Sequence, residues 1–311
     1  MQDRLTGILV GLAVGDALGA SVEFMAPGSF EPVTGYRSGG PHNLPPGYWT
    51  DDTAMALCSA YSLIECKGFD PHDQMDRFVR WFREGYCSST GSCFDIGNRT
   101  RSALLRYERT ADPFAGDESM DQAGNGTLMR LAPIVMHAHD HPRLPDLAAE
   151  HARLTHADPR CLDANRAFAL ILKTAMLAKH PAEVWQGASL TTLLPELDAE
   201  VIGVCLGSFL EREPPTIRAT GYVIDSLEAA LWAFSHSNSF AEGMLKAVNL
   251  GEDADTVGAI YGQLAGAYYG LEGIPVEWRR ELHAYQSLVA LAEQLATREP
   301  SQREVEPDHC C

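Results

Sequence analysis

The sequence predicts an all-α fold, and three observations carry the prediction. Apolar residues recur at helical spacing in one segment after another, from residues 53–66 to residues 276–296. The period-two alternation that marks half-buried strands is missing. Glycines recur every four residues at Gly7, Gly11, Gly15 and Gly19, and again at Gly258, Gly262, Gly266 and Gly270. On a helix that spacing makes a flat ridge which a neighbouring backbone can approach closely. Each such glycine costs about 0.8–1.0 kcal/mol of helix propensity against alanine, so close packing between helices is expected to offset it.

The elements follow in order. Residues 5–19 carry the first glycine ridge. Their apolar run does not read as a signal-peptide core, because Asp3 adds no positive charge and Asp16 ends the run. Residues 31–47 are too rich in Gly and Pro for a helix and read as a long loop, a lid candidate beside an acidic stretch. Residues 53–66 read as an apolar helix. Asp70 and Pro71 start the next by N-cap and N1 preference, with Met75, Phe78, Val79, Phe82 and Tyr86 on one face. Further helices are predicted over 96–109, 127–137, 161–178, 222–234, 240–249 and 276–296, with Ser239 and Glu242 forming a capping box. A long small-residue helix follows residues 251–256. Residues 297–311 have almost nothing apolar to bury and read as a disordered polar tail, which leaves 1–296 as one domain.

At 311 residues with 45% hydrophobic and 21% charged side chains, the chain can bury a substantial core without staples. No low-complexity linker divides it. A net charge of −18 argues against nucleic acid or an anionic membrane surface as partner, and no apolar run reaches the ~18 residues of a membrane span. The eight cysteines lack the paired short spacings of a zinc ribbon and read as reduced, cytoplasmic thiols.

Two acidic stretches carry the chemistry. Thr50-Asp51-Asp52-Thr53 places four oxygen-bearing side chains where a loop turns into a helix. Glu252-Asp253-Ala254-Asp255-Thr256 repeats the theme about two hundred residues later. Either stretch alone also reads as helix capping. Crowded into one site, four carboxylates and two hydroxyls would repel one another without a cation. Hard oxygen ligands select magnesium, manganese or calcium over zinc.

Asp95, in Phe94-Asp95-Ile96-Gly97-Asn98, reads either as an N-cap or as a general acid or base beside such ions. Glu23 is the same kind of candidate, its alternative being a solvated surface acid. Ala123-Gly124-Asn125-Gly126-Thr127 runs small residues into a helix, which suits an anion held on backbone N–H groups; an Asn-Gly turn is the other reading. His156, after Thr155, reads more readily as a structural residue than as a catalytic one. Dinucleotide and Walker loops, a Gly-x-Ser-x-Gly elbow and a His-Glu-x-x-His helix are all missing, which removes nucleotide-loop, serine hydrolase and zinc protease readings.

Taken in order, Gly11 to Ala20 with Val22-Glu23-Phe24, then Trp49 to Thr53, Phe94 to Asn98, Gly124 to Arg130, Thr155-His156 and Gly251 to Ala259 resemble the ADP-ribosylglycohydrolases. The likeness runs from residue 5 to about residue 280, and within the family is strongest to the dinitrogenase reductase-activating glycohydrolases, which remove ADP-ribose from arginine. The resemblance implies a single-domain orthogonal helical bundle holding two magnesium or manganese ions. It implies Thr50, Asp51, Asp52, Asp253, Asp255 and Thr256 as metal ligands. It gives Asp95 acid/base or ring-opening chemistry and sets Glu23 at the mouth beside the leaving group. Gly97, Asn98, Asn125, Gly126, Met129 and His156 would line an ADP-ribose groove, with Tyr222. The expected partners are ADP-ribosylated protein and ADP-ribose, met by a monomer. The alternatives are a non-catalytic family member that binds ADP-ribose or an ADP-ribosyltransferase, a hydrolase of serine-linked or small-molecule ADP-ribose conjugates, and a phosphoesterase cutting the diphosphate.

Overall fold

The computed structural model describes residues 1–119 and 123–297, so the expected tail beyond residue 297 lies outside the described residues. Among them the chain forms α-helices and short 3-10 turns and no strand, its three β-bridges being isolated pairs. The helices are α1 Gln2–Gly19, α2 Asp51–Cys66, α3 Pro71–Glu84, α4 Asn98–Thr110, α5 Ala132–Ala138, α6 Leu144–Arg153 and α7 Pro159–Ala175. They continue as α8 Ala188–Leu193, α9 Ala199–Cys205, α10 Val223–Ser235, α11 Phe240–Val248, α12 Ala254–Tyr269, α13 Val276–Glu281 and α14 Tyr285–Ala296. The all-α expectation is what the structure shows.

The two glycine ridges meet. A Cβ built on Gly7 would stand 2.6 Å from the carbonyl oxygen of Gly266, and one on Gly258 would stand 2.5 Å from that of Gly15. Gly11 and Gly262 face each other in the same antiparallel register, and Gly19 abuts the backbone of Asp255. Backbones this close leave no room for a methyl group, which is the offset for the lost helix propensity. Gly270 closes the row as the C-cap of α12 with φ of 75°. The pairing fixes the site, because it brings the C-terminal end of α1 against the N-terminal end of α12.

Elsewhere the helix bounds shift for local reasons. α2 starts at Asp51, two residues before the apolar pattern, and so takes both aspartates into its first turn. α5 spans Ala132–Ala138 and not 127–137: Pro133 occupies its first turn, where the missing N–H costs nothing, and residues 126–130 are turns. α6 was not expected; it buries Leu144, Leu147 and Ala148 behind Pro145 in its first turn. The helix predicted over 276–296 is two, broken where Ala284 takes φ of 48°. At that break His283 donates its backbone N–H to Gly47 O at 2.9 Å and stacks on Tyr48 at 4.2 Å. The capping box at α11 is half formed. Ser239 Oγ accepts from Glu242 N, but Glu242 Oε2 accepts from Asn238 N and not from Ser239.

Residues 31–47 form the expected loop, and it is tied down. Asn249 accepts from Val33 N at 2.7 Å and donates to Val33 O at 3.0 Å, while Arg37 Nε donates to Ser21 Oγ at 3.0 Å.

Candidate active site

The two acidic stretches converge. Thr50 Oγ1 lies 2.9 Å from Asp16 Oδ1, 3.0 Å from Asp52 Oδ2 and 3.3 Å from Asp255 Oδ2, and has one proton for all three. Carboxylate oxygens of Asp16, Asp52 and Asp255 lie within 4.8 Å of one another, and all three residues are buried. Asp52 Oδ1 is buried with no hydrogen-bond partner. Burial first, and then the neighbouring carboxylates, push Asp51, Asp52 and Asp255 well above the ordinary carboxylate range. Donors are too few for the oxygens present, and the oxygens repel one another. That deficit fits a divalent cation, and the donor set of carboxylates and hydroxyls fits a hard one.

Asp16 was not among the candidates read from the sequence. It accepts the backbone N–H of Thr50 at 2.8 Å through Oδ1, and through Oδ2 the N–H of Thr53 at 2.9 Å and its hydroxyl at 2.6 Å. A side chain on α1 therefore caps α2, whose own N-cap residue Thr50 makes no capping bond. Burial raises Asp16 to about 6 against the lowering effect of these bonds. A signal for it existed: Asp16 is the single charge between Leu5 and Gly19.

Above this floor opens a cleft of about 720 Å³. Asp51, Asp253, Asp255 and Thr256 line it from the floor, Glu23 and Asp95 from the mouth, and Gly97, Asn98, Asn125, Gly126, Met129 and His156 along the wall. Thr50 and Asp52 lie buried beneath it. Tyr222 is placed elsewhere: its hydroxyl donates to Glu200 at 2.9 Å and accepts from Arg160 at 3.2 Å. The backbone on either side of Tyr222 holds the wall loop, with Asn125 N donating to Gly221 O and Val223 N to Ala123 O.

Asn125 turns toward the acids. Its amide donates to Asp253 Oδ2 at 2.7 Å and to Ser226 Oγ at 2.9 Å. Beneath the loop lies Arg130, fully buried, which donates to Gly126 O and to Thr155 Oγ1, each at 2.7 Å. Thr155 Oγ1 is 2.8 Å from His156 Nδ1. The arrangement that gives each proton an acceptor has Thr155 donating to Nδ1, which leaves the His156 proton on Nε2. That nitrogen would stand 3.1 Å from a Cβ on Gly124, so glycine there opens the approach to it. Burial, reinforced by Arg130 and Arg99, lowers His156 to about 3. The wall thus offers a neutral N–H donor, with Arg99 beside it in the same cleft.

At the mouth, burial and then repulsion from Asp95, Asp253 and Asp52 push Glu23 up to about 10. Asp95 sits at φ of 57°, just ahead of α4, whose cap is Gly97 and which takes no capping bond from a side chain. Between the two acids stands His42 of the 31–47 loop, its Nε2 3.3 Å from Glu23 Oε2 and 3.1 Å from Asp95 Oδ1. Nothing in a Gly/Pro-rich loop signals such a placement, because it depends on how the loop folds back.

An all-α bundle with a buried oxygen-donor cluster on the floor of a polar cleft defines a class, that of helical proteins with a candidate metal centre. The family model for ADP-ribosylglycohydrolase matches residues 1–305. The chain belongs to the ADP-ribosylglycohydrolase family and is a hydrolase of it. It is 37% identical over 305 residues to the ADP-ribosylarginine hydrolase Tri1 of Pseudomonas putida (strain GB-1), covering 98% of this chain and 81% of that one. To the ADP-ribosyl-[dinitrogen reductase] glycohydrolase of Rhodospirillum rubrum it is 32% identical over 291 residues, 91% of each chain. A solved structure described as an ADP-ribosylglycohydrolase-related protein complex superposes with a TM-score of 0.85 at 48% identity, over 95% of this chain and 97% of that one.

Proposed function

We propose that the protein hydrolyses the N-glycosidic bond joining ADP-ribose to an arginine side chain of a modified protein. Two magnesium or manganese ions would be held by Thr50, Asp51, Asp52, Asp253, Asp255 and Thr256. The observation that carries the reading is the donor deficit among buried carboxylates directly under a cleft whose wall bears N–H donors. Relatives named as ADP-ribosylarginine hydrolase and ADP-ribosyl-[dinitrogen reductase] glycohydrolase support the substrate class.

Divalent cations at the floor would supply Lewis-acid polarisation of ribose hydroxyls and of water. The chain's own residues do the rest. His156 Nε2–H and the backbone N–H groups of Gly124 and Gly126 take the diphosphate, the Asn125 N–H being spent on Gly221 O, with the neutral imidazole costing no desolvated charge. Arg130 holds the Gly126 carbonyl back into the protein, and Asn125 orients Asp253. Asp95 accepts a proton from the attacking water. Glu23 and Asp95 flank the substrate's guanidinium, whose positive charge lets it leave without prior protonation; it departs as neutral guanidine and takes up the proton that Asp95 removed from the water. With its net charge of −18, the protein is taken to act as a monomer on modified proteins and not on nucleic acid.

The test is incubation of the purified protein with an arginine-ADP-ribosylated protein, with and without EDTA. Free ADP-ribose, lost in EDTA and restored by magnesium or manganese, is expected. AMP as product would identify a phosphoesterase, and ADP-ribose binding without any product a non-catalytic family member.

A further inference from the structure

We propose that Glu23, His42 and Asp95 form a second kind of metal site, one for a zinc-like divalent cation, at which zinc inhibits the enzyme. The inhibition rests on the function proposed above; the binding does not. One ligand atom from each residue lies within 4.8 Å of the other two. His42 Nε2 approaches Asp95 Oδ1 to 3.1 Å and Glu23 Oε2 to 3.3 Å. Neither approach has hydrogen-bond alignment: Glu23 Oε2 and His42 Nε2 are both buried without a hydrogen-bond partner. The Glu23 side chain is 3% exposed, so water does not satisfy it either.

Three ligand atoms that crowd this closely without a hydrogen bond to hold them are spaced as the ligands of one ion would be. Tetrahedral zinc, with Zn–N and Zn–O bonds of about 2.0–2.2 Å, sets its ligands about 3.2–3.6 Å apart, close to the 3.3 and 3.1 Å from His42 Nε2 to Glu23 and Asp95, whose own oxygens lie within 4.8 Å of each other. The imidazole gives the site its selectivity. The floor of the cleft is all oxygen and suits magnesium or manganese, whereas a nitrogen donor favours zinc and its neighbours in the first transition row. The His42 ring packs against Phe94, the residue before Asp95, with centroids 5.1 Å apart and ring planes tilted by 50°. The side-chain exposures of 21% for His42 and 12% for Asp95 leave a way in from the mouth. A cation there ties up both acids that would face the leaving group.

Zinc is titrated against the magnesium-loaded enzyme, with each protein's rate normalised to its own zinc-free value. Micromolar-range inhibition of wild type is expected, with the midpoint raised about tenfold or more in both His42→Gln and His42→Ala, the scale of losing an interaction that a metal site depends on. Equal midpoints in all three proteins would place the inhibitory zinc on the oxygen floor and overturn the proposal. A second arm does not use activity. In Asp52→Ala, which disables the floor, cobalt(II) is expected to bind with the visible absorption of a low-coordinate site. The Asp52→Ala/His42→Gln double variant is expected to lack that band. Persistence of the band in the double variant, or its absence from Asp52→Ala, rejects the site, whether or not the protein proves to cleave ADP-ribosylarginine.

Discussion

Asp16 Oδ2 stands 2.6 Å from Thr53 Oγ1, so that a carboxylate on the first helix caps the second and sets the floor of the cleft. Asp16→Asn puts an amide nitrogen where one carboxylate oxygen now accepts, and either placement leaves a buried backbone N–H of Thr50 or Thr53 without an acceptor. Each orphaned donor costs about 1–3 kcal/mol. Urea denaturation is expected to show a lower midpoint at unchanged m-value. A variant as stable as wild type would mean that α2 is capped by something other than Asp16.

Asp52→Ala and Asp253→Ala are expected to abolish turnover and weaken magnesium and manganese binding while far-UV circular dichroism stays close to wild type. Both residues sit at the acidic site and not in the apolar core, and Asp52 Oδ1 already lacks a partner whose loss would cost stability. Full activity of EDTA-stripped wild type without added metal would sink the metal assignment.

Asp95→Asn is expected to lower kcat by about 10²-fold or more with ADP-ribose affinity kept, the usual scale for a positioned acid/base group. Asparagine is the informative substitution because Asp95 has φ of 57°, a conformation that Asn tolerates and most residues do not. Calorimetry showing lost affinity beside a normal saturated rate would make Asp95 a binding residue instead.

The helices and the acidic stretches were legible for the same reason: each is a local pattern. The four-residue glycine period marked α1 and α12 before either helix was placed, and their contact is a consequence of what that period can do. Asp51, Asp52, Asp253 and Asp255 stood out as carboxylates at helix starts. Asp16, His42 and Arg130 were not legible as site residues, because each acts through partners far away in the chain. Asp16 serves residues 34 and 37 positions on, and His42 meets Glu23 and Asp95 only after the loop folds back. Proline and positive-φ residues moved helix ends by local sterics that an apolar period does not encode, as at Pro133 and Ala284.

His156 supplies a pH dependence whose sign follows from its environment. Its folded value is lowered to about 3, below the ordinary imidazole value, by burial first and then by Arg130 and Arg99. Between those values the unfolded chain binds a proton that the folded one refuses. Stability contributed by His156 is therefore complete above about pH 6.5 and is lost as pH falls toward 3. Comparing unfolding free energies of wild type and His156→Gln across pH 7 to 4 is expected to show a shallower loss in the variant. Parallel curves would mean that His156 is no harder to protonate in the fold than out of it.

Specificity for the linkage follows from the mouth of the cleft. Glu23 and Asp95 converge there closely enough for both to lie within 3.3 Å of one imidazole nitrogen, so the pair is arranged to receive a cation. A guanidinium brings five donors and a fixed charge, neither of which a serine hydroxyl can replace. With a serine linkage the acids would face the leaving group unpartnered, at a cost of about 1–3 kcal/mol. If the pairing persists in the transition state, that is roughly ten- to a hundredfold in kcat/KM. Two peptides that differ only in the modified residue, measured side by side, are expected to show the arginine conjugate cleaved faster by that factor. Glu23→Asp should narrow the gap less than Glu23→Gln, because it keeps an acid that a facing guanidinium can draw into its ionised form against the burial and repulsion that otherwise hold Glu23 up near 10. Equal or faster release from serine would show that the mouth does not read the leaving group's charge, even with the metal and Asp95 predictions fulfilled.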